Sequence, residues 1–464
     1  MSFALRPVSS TGLAIVAAII ASMAIRGALM AAGTGPFDDP DNYLPLARSL
    51  AAGQGLALKG RPTAYRPPLY PILLAPIVTL SADRAITAIA IFHLVLGGAT
   101  VGMTVVAARR WGLSWWRAIA ATWIVAIDPV LAWQSRFIMT ETLTAFLSTS
   151  ALAALTMPRW RGWVLGAAFL GLASLSRPSM LPGAVLVVIA GLLVCPGACR
   201  DRLARCGTMA LAPFLVLSPW AIRNALIFGE PVWTTTHGGY TLALANNEIY
   251  YRDVLNGPPG GVWMGHDQWL WWDSVNRETS GMSEPRADRF LRNRVVELAI
   301  AQPLTFLRAG LQRLGRFWSL TPAVAVYSPI VRWATAIWTL PLWIALGLGL
   351  ARRSLWRWPQ IAAPLLVAGL SLVHAVFWTD LRMRAPIVPA IALVAASAAL
   401  PALRRESERR RAGSGAVAGS TAAGRKLGDS GWLLKCRLAG QRSAPDRPSA
   451  RARWPADENN PARH

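Results

Sequence analysis

Long apolar runs, separated by short polar segments, dominate the first four hundred residues of this chain. A helix needs about 20 apolar residues to cross a bilayer, and several of these runs approach or reach that length. The pattern predicts an all-α polytopic membrane protein with about ten transmembrane helices. We place them at residues 12–32, 85–107, 117–132, 138–156, 163–176, 179–195, 207–222, 329–350, 360–378 and 385–402.

A further apolar run, at residues 68–80, does not fit this series. It is short for a span, and prolines 68, 71 and 76 interrupt it. If it crossed the membrane, arginine pairs such as Arg109 and Arg110 would lie outside the cell, against the positive-inside rule. We therefore predict a re-entrant or interfacial segment.

With this segment left out of the count, both termini lie in the cytoplasm and the chain is a multi-pass protein of the inner (plasma) membrane. Residues 1–403 form the transmembrane domain, with two large segments facing the periplasm or exterior, 33–84 and 223–328. Residues 404–464 are rich in Arg, Gly and Ser and lack hydrophobic periodicity. They predict a basic, disordered cytoplasmic tail.

Composition supports a membrane location and changes the interpretation of the charge. Of 464 residues, 54% are hydrophobic and 15% charged, the mean hydropathy is +0.37, and the net charge is +24. Such a charge can indicate nucleic-acid binding, but beside apolar spans it indicates basic cytoplasmic loops and anionic membrane lipids. We predict no nucleic-acid partner.

The first outer segment carries the clearest candidate chemistry, an acidic cluster directly after the first helix. Asp38, Asp39 and Asp41 allow two interpretations from their spacing alone. They are a solvated loop in which Asp41 caps a helix beginning near Tyr43, or they hold a general base just above the bilayer. An amphipathic helix follows, ended by Gly53 and Gly55.

Basic residues at predicted outer helix ends are candidate ligands for a phosphate. Arg66 precedes a double proline that fixes the backbone, so it either binds phosphate bidentately or anchors in headgroups. The same alternatives hold for Arg177, Arg382 and Arg384. Further candidates, each with a structural alternative, lie near these positions: Glu141 as a helix cap, Arg223 at a helix end and His237 in a glycine-rich loop.

Several ordered motifs resemble one family of membrane enzymes. They are Asp39 with Tyr43; Arg66-Pro67-Pro68-Leu69-Tyr70-Pro71; Met139-Thr140-Glu141; Ser176-Arg177-Pro178; Ser218-Pro219-Trp220 through Asn224; Thr236-His237-Gly238-Gly239; and Arg382-Met383-Arg384-Ala385-Pro386. Across residues 10–400 their order is similar to that of the GT-C glycosyltransferases. Within that superfamily the motifs resemble those of the bacterial proteins grouped with family 39, the protein O-mannosyltransferases and the lipid A aminoarabinose transferase.

The resemblance implies transfer of a sugar from a polyprenyl-phosphate donor to a protein, lipid or glycan acceptor. It implies that Asp39 is the base or orients the acceptor, that Arg66 binds the donor phosphate, and that Tyr43, Glu141, Arg223 and His237 support the site. Pro40 and Asn42 stand where some relatives have an acidic residue and an arginine. This departure leaves open which residues bind the donor and whether a divalent metal is needed. The aminoarabinose branch therefore fits less well than another bacterial branch of the family.

Two other classes remain open from the sequence. A transporter or flippase of lipid-linked glycans places its ionisable residues near the bilayer midplane, whereas most candidates here fall at outer helix ends. A non-catalytic assembly subunit would use its large outer segment to bind partners.

Overall fold

The computed structural model describes residues 10–32, 38–157, 159–194, 199–257, 263, 266–323 and 327–398. These residues are almost entirely helical, and their named strands form one two-stranded hairpin. The all-α prediction is confirmed. The predicted tail, 404–464, lies outside the described residues.

The first half of the chain alternates long apolar helices with short connecting elements. In order, these are α1 (Ser10–Ala31), α2 (Tyr43–Ala51), β1 (Ala57–Leu58), β2 (Arg61–Pro62), α3 (Leu69–Leu74), α4 (Ala82–Arg110), α5 (Trp115–Ile127), α6 (Pro129–Gln134), α7 (Glu141–Ala154), α8 (Arg159–Ser176), a 3₁₀ turn (Pro178–Met180), α9 (Leu181–Val194) and α10 (Cys199–Phe228).

The second half begins with a group of shorter helices, which we call the loop domain, and ends with apolar helices. The loop domain contains α11 (Gly238–Leu244), α12 (Glu248–Tyr250) with a π-helical turn (Tyr251–Leu255), α13 (His266–Glu278), α14 (Glu284–Ala301) and α15 (Pro303–Phe317). Then come α16 (Pro329–Leu350), a 3₁₀ turn (Arg353–Trp356), α17 (Ala362–Val376), a 3₁₀ helix (Leu381–Ile387) and α18 (Val388–Ala396).

Among the described residues, four helices are long and apolar enough to cross a membrane: α1, α4, α10 and α16. Shorter apolar helices occur at α5, α9 and α17. Each of the ten predicted spans corresponds to a helix, and the number that crosses stays a prediction. The helix α7 is buried along nearly its whole length, as is α18, so these two helices form the centre of the bundle.

A proline explains one place where the helix limits differ from the predicted ones. The predicted helix 117–132 is interrupted at Asp128, because Pro129 disfavours helical geometry in the residue before it. Asp128 then caps α6 by accepting a hydrogen bond from the backbone N–H of Leu131 (2.8 Å). In contrast, α10 continues through Pro213 and Pro219 and is longer than predicted.

The run 68–80 forms only the short helix α3, as expected for a segment that does not span. Its Tyr70 is fully buried and its hydroxyl lies 2.7 Å from Nε2 of His93 in α4, while Nδ1 of His93 lies 2.7 Å from the carbonyl of Ser135. A carbonyl oxygen only accepts, so Nδ1 of His93 donates to Ser135. Nε2 of His93 then accepts a hydrogen bond from the Tyr70 hydroxyl. This chain of hydrogen bonds fixes α3 against the bundle.

An arginine within the first helix is also accommodated by the bundle. Arg26 is 1% exposed, and its guanidinium donates to the carbonyl of Ala126 (3.0 Å) and to Ser22. Gly97 provides the space, because a Cβ there would lie 2.9 Å from the Arg26 side chain. The cost expected of this arginine in an apolar helix is therefore offset by internal hydrogen bonds.

Candidate active site

The acidic cluster is held against the segment that leads into the central helix α7. The backbone carbonyl of Asp38 accepts a hydrogen bond from the N–H of Ile138 (2.9 Å), in a parallel bridge between Asp38 and Phe137. Ile138 lies three residues before Glu141, the first residue of α7. The bridge therefore brings the first loop beside the amino end of the most buried helix.

Asp39 caps the helix α2. Its Oδ1 accepts from the backbone N–H of Tyr43 and its Oδ2 from that of Leu44, both at 2.8 Å. Burial raises the pKa of Asp39 above its ordinary value of 3.8, although the two hydrogen bonds lower it. Since a carboxylate has about four acceptor positions, one lone pair on each oxygen stays available. Asp39 is thus a fixed, half-buried carboxylate with a raised proton affinity.

Asp41 forms an ion pair, with 2.8 Å between its Oδ1 and Nη2 of Arg66. The interpretation in which Asp41 caps α2 is wrong, because the first N–H groups of α2 donate to Asp39 instead. The Arg66 guanidinium also lies 5.4 Å from the ring centroid of Tyr65. Both partners keep about a fifth of their side chains exposed (18% and 22%), so the pair remains accessible.

Glu141 and Arg177 form a second ion pair, between the first turn of α7 and the end of α8. Nη1 of Arg177 lies 3.0 Å from Oε1 of Glu141, whose side chain is fully buried. Arg177 also donates to the hydroxyl of Thr140 (3.3 Å) and contacts the sulfur of Met383. A carboxylate at this position also suits the positive end of the α7 dipole.

A third ion pair joins Arg382 to Asp380, with 3.2 Å between Nε and Oδ2. Arg382 also donates to the sulfur of Met139 (3.3 Å), which lies directly before α7. Burial lowers the pKa of Arg382, but the negative charges of Asp380, Glu141 and Asp41 outweigh it, so the pKa is raised. The last outer turn therefore contacts the same segment as the acidic cluster.

These pairs meet at one end of the bundle. The phenol of Tyr43 lies in the field of charges from the first two pairs, and burial raises its pKa, so it remains neutral. The charged groups that act on it are Asp41, Arg66, Glu141 and Arg177. Among the described residues, no arginine or lysine forms an ion pair with Asp39. Asp39 is thus a carboxylate that belongs to none of the three ion pairs, and the nearby charges of Asp41 and Arg66 act on it.

Other candidate residues are not brought into this group. Arg384 is 3% exposed and donates to the carbonyl of Ser319 (2.8 Å), so it faces into the protein. Arg223 donates to the carbonyls of Thr63 (2.9 Å) and Leu56 (2.8 Å). It therefore joins the end of α10 to the later part of the first loop. The acidic residues Asp38, Asp39 and Asp41 lie earlier in that loop.

His237 packs between two tyrosines near Arg66. Its ring centroid is 4.3 Å from that of Tyr65 and 5.2 Å from that of Tyr240. Burial and the positive charge of Arg66 hold the pKa of His237 well below its usual value, so the ring is neutral. The role of Tyr65 and Tyr240 was missed from the sequence. The position of Tyr65, directly before the Arg-Pro-Pro motif, was the available signal.

The loop domain is fastened to the first loop behind these rings. The carboxylate of Glu284 accepts from the N–H of Ala64 (2.8 Å) and the hydroxyl of Thr236 (2.9 Å). The N–H of Thr236 donates to the carbonyl of Ala64 (3.0 Å). In the part of the chain that the structure describes, no group of three or more His, Cys, Asp and Glu residues is arranged to hold a metal ion.

Comparisons with family models and with curated proteins give no match. Among solved structures, the chain is similar to the oligosaccharyltransferase AglB from Archaeoglobus fulgidus in complex with an inhibitory peptide and a dolichol-phosphate, with a TM-score of 0.47 and 15% identity. That match covers 89% of this chain and 52% of the archaeal one, so this chain spans about half the length of AglB.

The chain is also similar to ArnT from Cupriavidus metallidurans bound to undecaprenyl phosphate, with a TM-score of 0.36 and 15% identity, over 84% of this chain and 78% of ArnT.

Proposed function

We propose that this protein is a membrane glycosyltransferase that takes a sugar from a polyprenyl-phosphate donor and attaches it to an acceptor. The observation that carries the proposal is the convergence at one end of an apolar bundle. Asp39, the pair Arg66–Asp41, the pair Arg177–Glu141 and the pair Arg382–Asp380 come from distant parts of the chain.

Asp39 is the proposed general base. A carboxylate acts more effectively as base for an acceptor hydroxyl or amine when its proton affinity is raised and its position is fixed. Asp39 meets both conditions, because burial raises its pKa and two backbone N–H groups hold its oxygens. In the proposed reaction it takes the acceptor proton while the acceptor atom bonds to the anomeric carbon of the sugar.

The three arginines are the proposed ligands of the donor phosphate. As the bond from the anomeric carbon to the phosphate oxygen breaks, the electron pair stays on the lipid phosphate, and fixed cations stabilise that charge. A guanidinium has five N–H donors, so an arginine held by a carboxylate keeps donors for a phosphate. Arg66, Arg177 and Arg382 are each held in this way and are each partly exposed.

The proposed arrangement faces the periplasm or exterior, with both termini in the cytoplasm and the loop domain above the membrane. The acceptor is a protein, lipid or glycan that meets the donor at the bilayer surface. Tyr43, Glu141, Arg223 and His237 support the site, the first two beside the charges and the other two by holding the first loop and its aromatic rings.

Asp39→Asn tests the assignment. Asparagine retains an oxygen that can cap α2, so the variant should fold, whereas it cannot take a proton; we expect transfer to fall by about 10²–10⁴-fold. Asp38→Asn is the matched control, because the Asp38 side chain is exposed and its backbone makes the bridge. The assay is sugar transfer by purified protein from a lipid-phosphate donor.

Full transfer by folded Asp39→Asn would refute the role of Asp39. If wild-type protein transfers no sugar from any of several donors but moves lipid-linked glycan across the membrane of proteoliposomes, the transporter alternative is correct instead.

A further inference from the structure

A cleft on the first loop lies outside the group of ion pairs. It opens between α2 and the turn that joins β1 to β2, and its volume is about 330 Å³. Its lining residues include two basic side chains, two polar side chains, a proline and a glycine: Arg48, Lys59, Ser49, Gln54, Pro45 and Gly60. None of the proposed catalytic or phosphate-binding residues lines it.

The cleft is positively charged. Arg48 and Lys59 stand on its two sides, both are exposed, and within the described part of the chain neither forms an ion pair with a carboxylate. No aspartate or glutamate lines the cleft. Two cations that converge on a cavity without a counter-charge attract an anion, and the arginine can bind two of its oxygens at once.

The cleft also contains hydrogen-bonding groups suited to a sugar. Ser49 lines the cleft, and its buried hydroxyl oxygen makes no hydrogen bond within the protein, an uncommon state for a polar group. Gln54 adds a side-chain amide, which both donates and accepts. A phosphate bound by the cations would therefore have neutral polar groups beside it for hydroxyls.

Lys59 is unusual in both sequence and backbone. Lysine occurs in this chain only at positions 59, 426 and 435, so every other basic position before the tail is arginine. Lys59 has φ of 51° and is followed by Gly60 at 75°, a turn in which asparagine or glycine is preferred at the first position. A lysine held in a left-handed conformation at the edge of a charged cleft fits a ligand contact.

We propose that this cleft binds a phosphate group carried on a sugar or a lipid headgroup. The ligand would lie along α2, beginning at Pro45, one residue beyond the turn that Asp39 caps. From Tyr43 to Ser49 the helix advances about 9 Å, so the cleft is next to the proposed active site and separate from it. The binding claim does not depend on the proposed enzymatic function.

The test uses Lys59 as its own probe. The purified full-length protein is acetylated with a water-soluble amine reagent, and the extent at each lysine is measured by mass spectrometry. In detergent, glucose 1-phosphate is compared with glucose and with potassium chloride of equal ionic strength. In lipid nanodiscs, phosphatidylglycerol is compared with phosphatidylcholine. Acetylation of Lys426 and Lys435, in the predicted tail, is recorded in the same samples.

We expect acetylation of Lys59 to slow at least threefold with glucose 1-phosphate relative to glucose, or in phosphatidylglycerol relative to phosphatidylcholine. Protection in detergent identifies a soluble phosphosugar as the ligand, and protection only in nanodiscs identifies a headgroup. Arg48→Gln should weaken the protecting ligand about tenfold, because it removes a charged donor. Arg61→Gln, an exposed arginine of the same hairpin that does not line the cleft, should leave protection intact.

Equal protection by glucose and glucose 1-phosphate would overturn the proposal, and so would the absence of protection by either phosphate source. A second measurement avoids the lysine probe: binding of radiolabelled glucose 1-phosphate to Lys59→Asn, which suits the turn and removes the charge. If the soluble phosphosugar protects wild type but Lys59→Asn binds it unchanged, the proposed site is wrong.

Discussion

The buried ion pair between Glu141 and Arg177 should be strongly coupled in unfolding. At 3.0 Å and an effective dielectric constant of about 20, Coulomb's law gives an attraction of about 5 kcal/mol. Arg177→Met removes the cation and leaves a fully buried carboxylate, which typically costs about 3–5 kcal/mol. Because the positive charge of Arg382 still acts on Glu141, we expect a value near the lower end, about 3 kcal/mol.

A double-mutant cycle measures this coupling. The free energy of unfolding is determined in mixed micelles for wild type, Glu141→Gln, Arg177→Met and the double variant. We expect the double variant to be more stable than the sum of the single losses predicts, by about 2–3 kcal/mol, since neither charge is then left alone. The matched control is the exposed pair Arg289 and Glu230 in the loop domain, whose coupling should be below about 1 kcal/mol.

A coupling at Glu141–Arg177 no larger than that of the exposed control would refute the reasoning. It would mean that the carboxylate is not buried as the structure has it, or that water reaches it. Sugar transfer by the single variants is a separate readout, because Arg177 is also a proposed phosphate ligand.

Three other predictions follow from individual residues. The rate of sugar transfer should fall as the pH is lowered through the pKa of Asp39, which burial raises above 3.8, because the protonated acid cannot act as a base; a pH–rate profile of kcat/KM checks this. Tyr70→Phe should lower the free energy of unfolding by about 1–3 kcal/mol in mixed micelles, since it removes the buried hydrogen bond from the Tyr70 hydroxyl to Nε2 of His93. In intact cells, a membrane-impermeant amine reagent should acetylate Lys59 and spare the two lysines of the tail; acetylation of the tail instead would reverse the proposed orientation.

The apolar pattern predicted the helices well where composition alone decides. The positive-inside rule, applied to the arginine pairs of the loops, predicted in addition that 68–80 does not span the membrane. The limits were wrong where one residue decides, as at Asp128, whose own carboxylate caps the helix that Pro129 begins. Local sequence does not tell which proline interrupts a helix, since α10 runs through Pro213 and Pro219.

The sequence named most of the candidate residues, but it did not predict which carboxylate pairs with which arginine. The sequence offered Asp41 as the cap of α2, whereas the carboxylate of Asp39 accepts hydrogen bonds from the first N–H groups of that helix. Arg382 and Arg384 looked equivalent, yet residues two apart in a 3₁₀ helix point in different directions. One faces the acidic residues and the other the carbonyl of Ser319. Such differences depend on how segments pack, which a single sequence does not show.

The contacts around Arg177 and Arg382 have a consequence for the synthesis of the protein. Arg177 contacts Met383, and Arg382 contacts Met139, which are 206 and 243 residues away along the chain. Helices enter the membrane from the amino terminus onward, so α1 to α10 are in place long before Arg382 leaves the ribosome. A nascent or truncated chain would therefore hold the acidic loop without the last arginine. The proposed site is therefore completed only after the segment Leu381–Ile387 has been made.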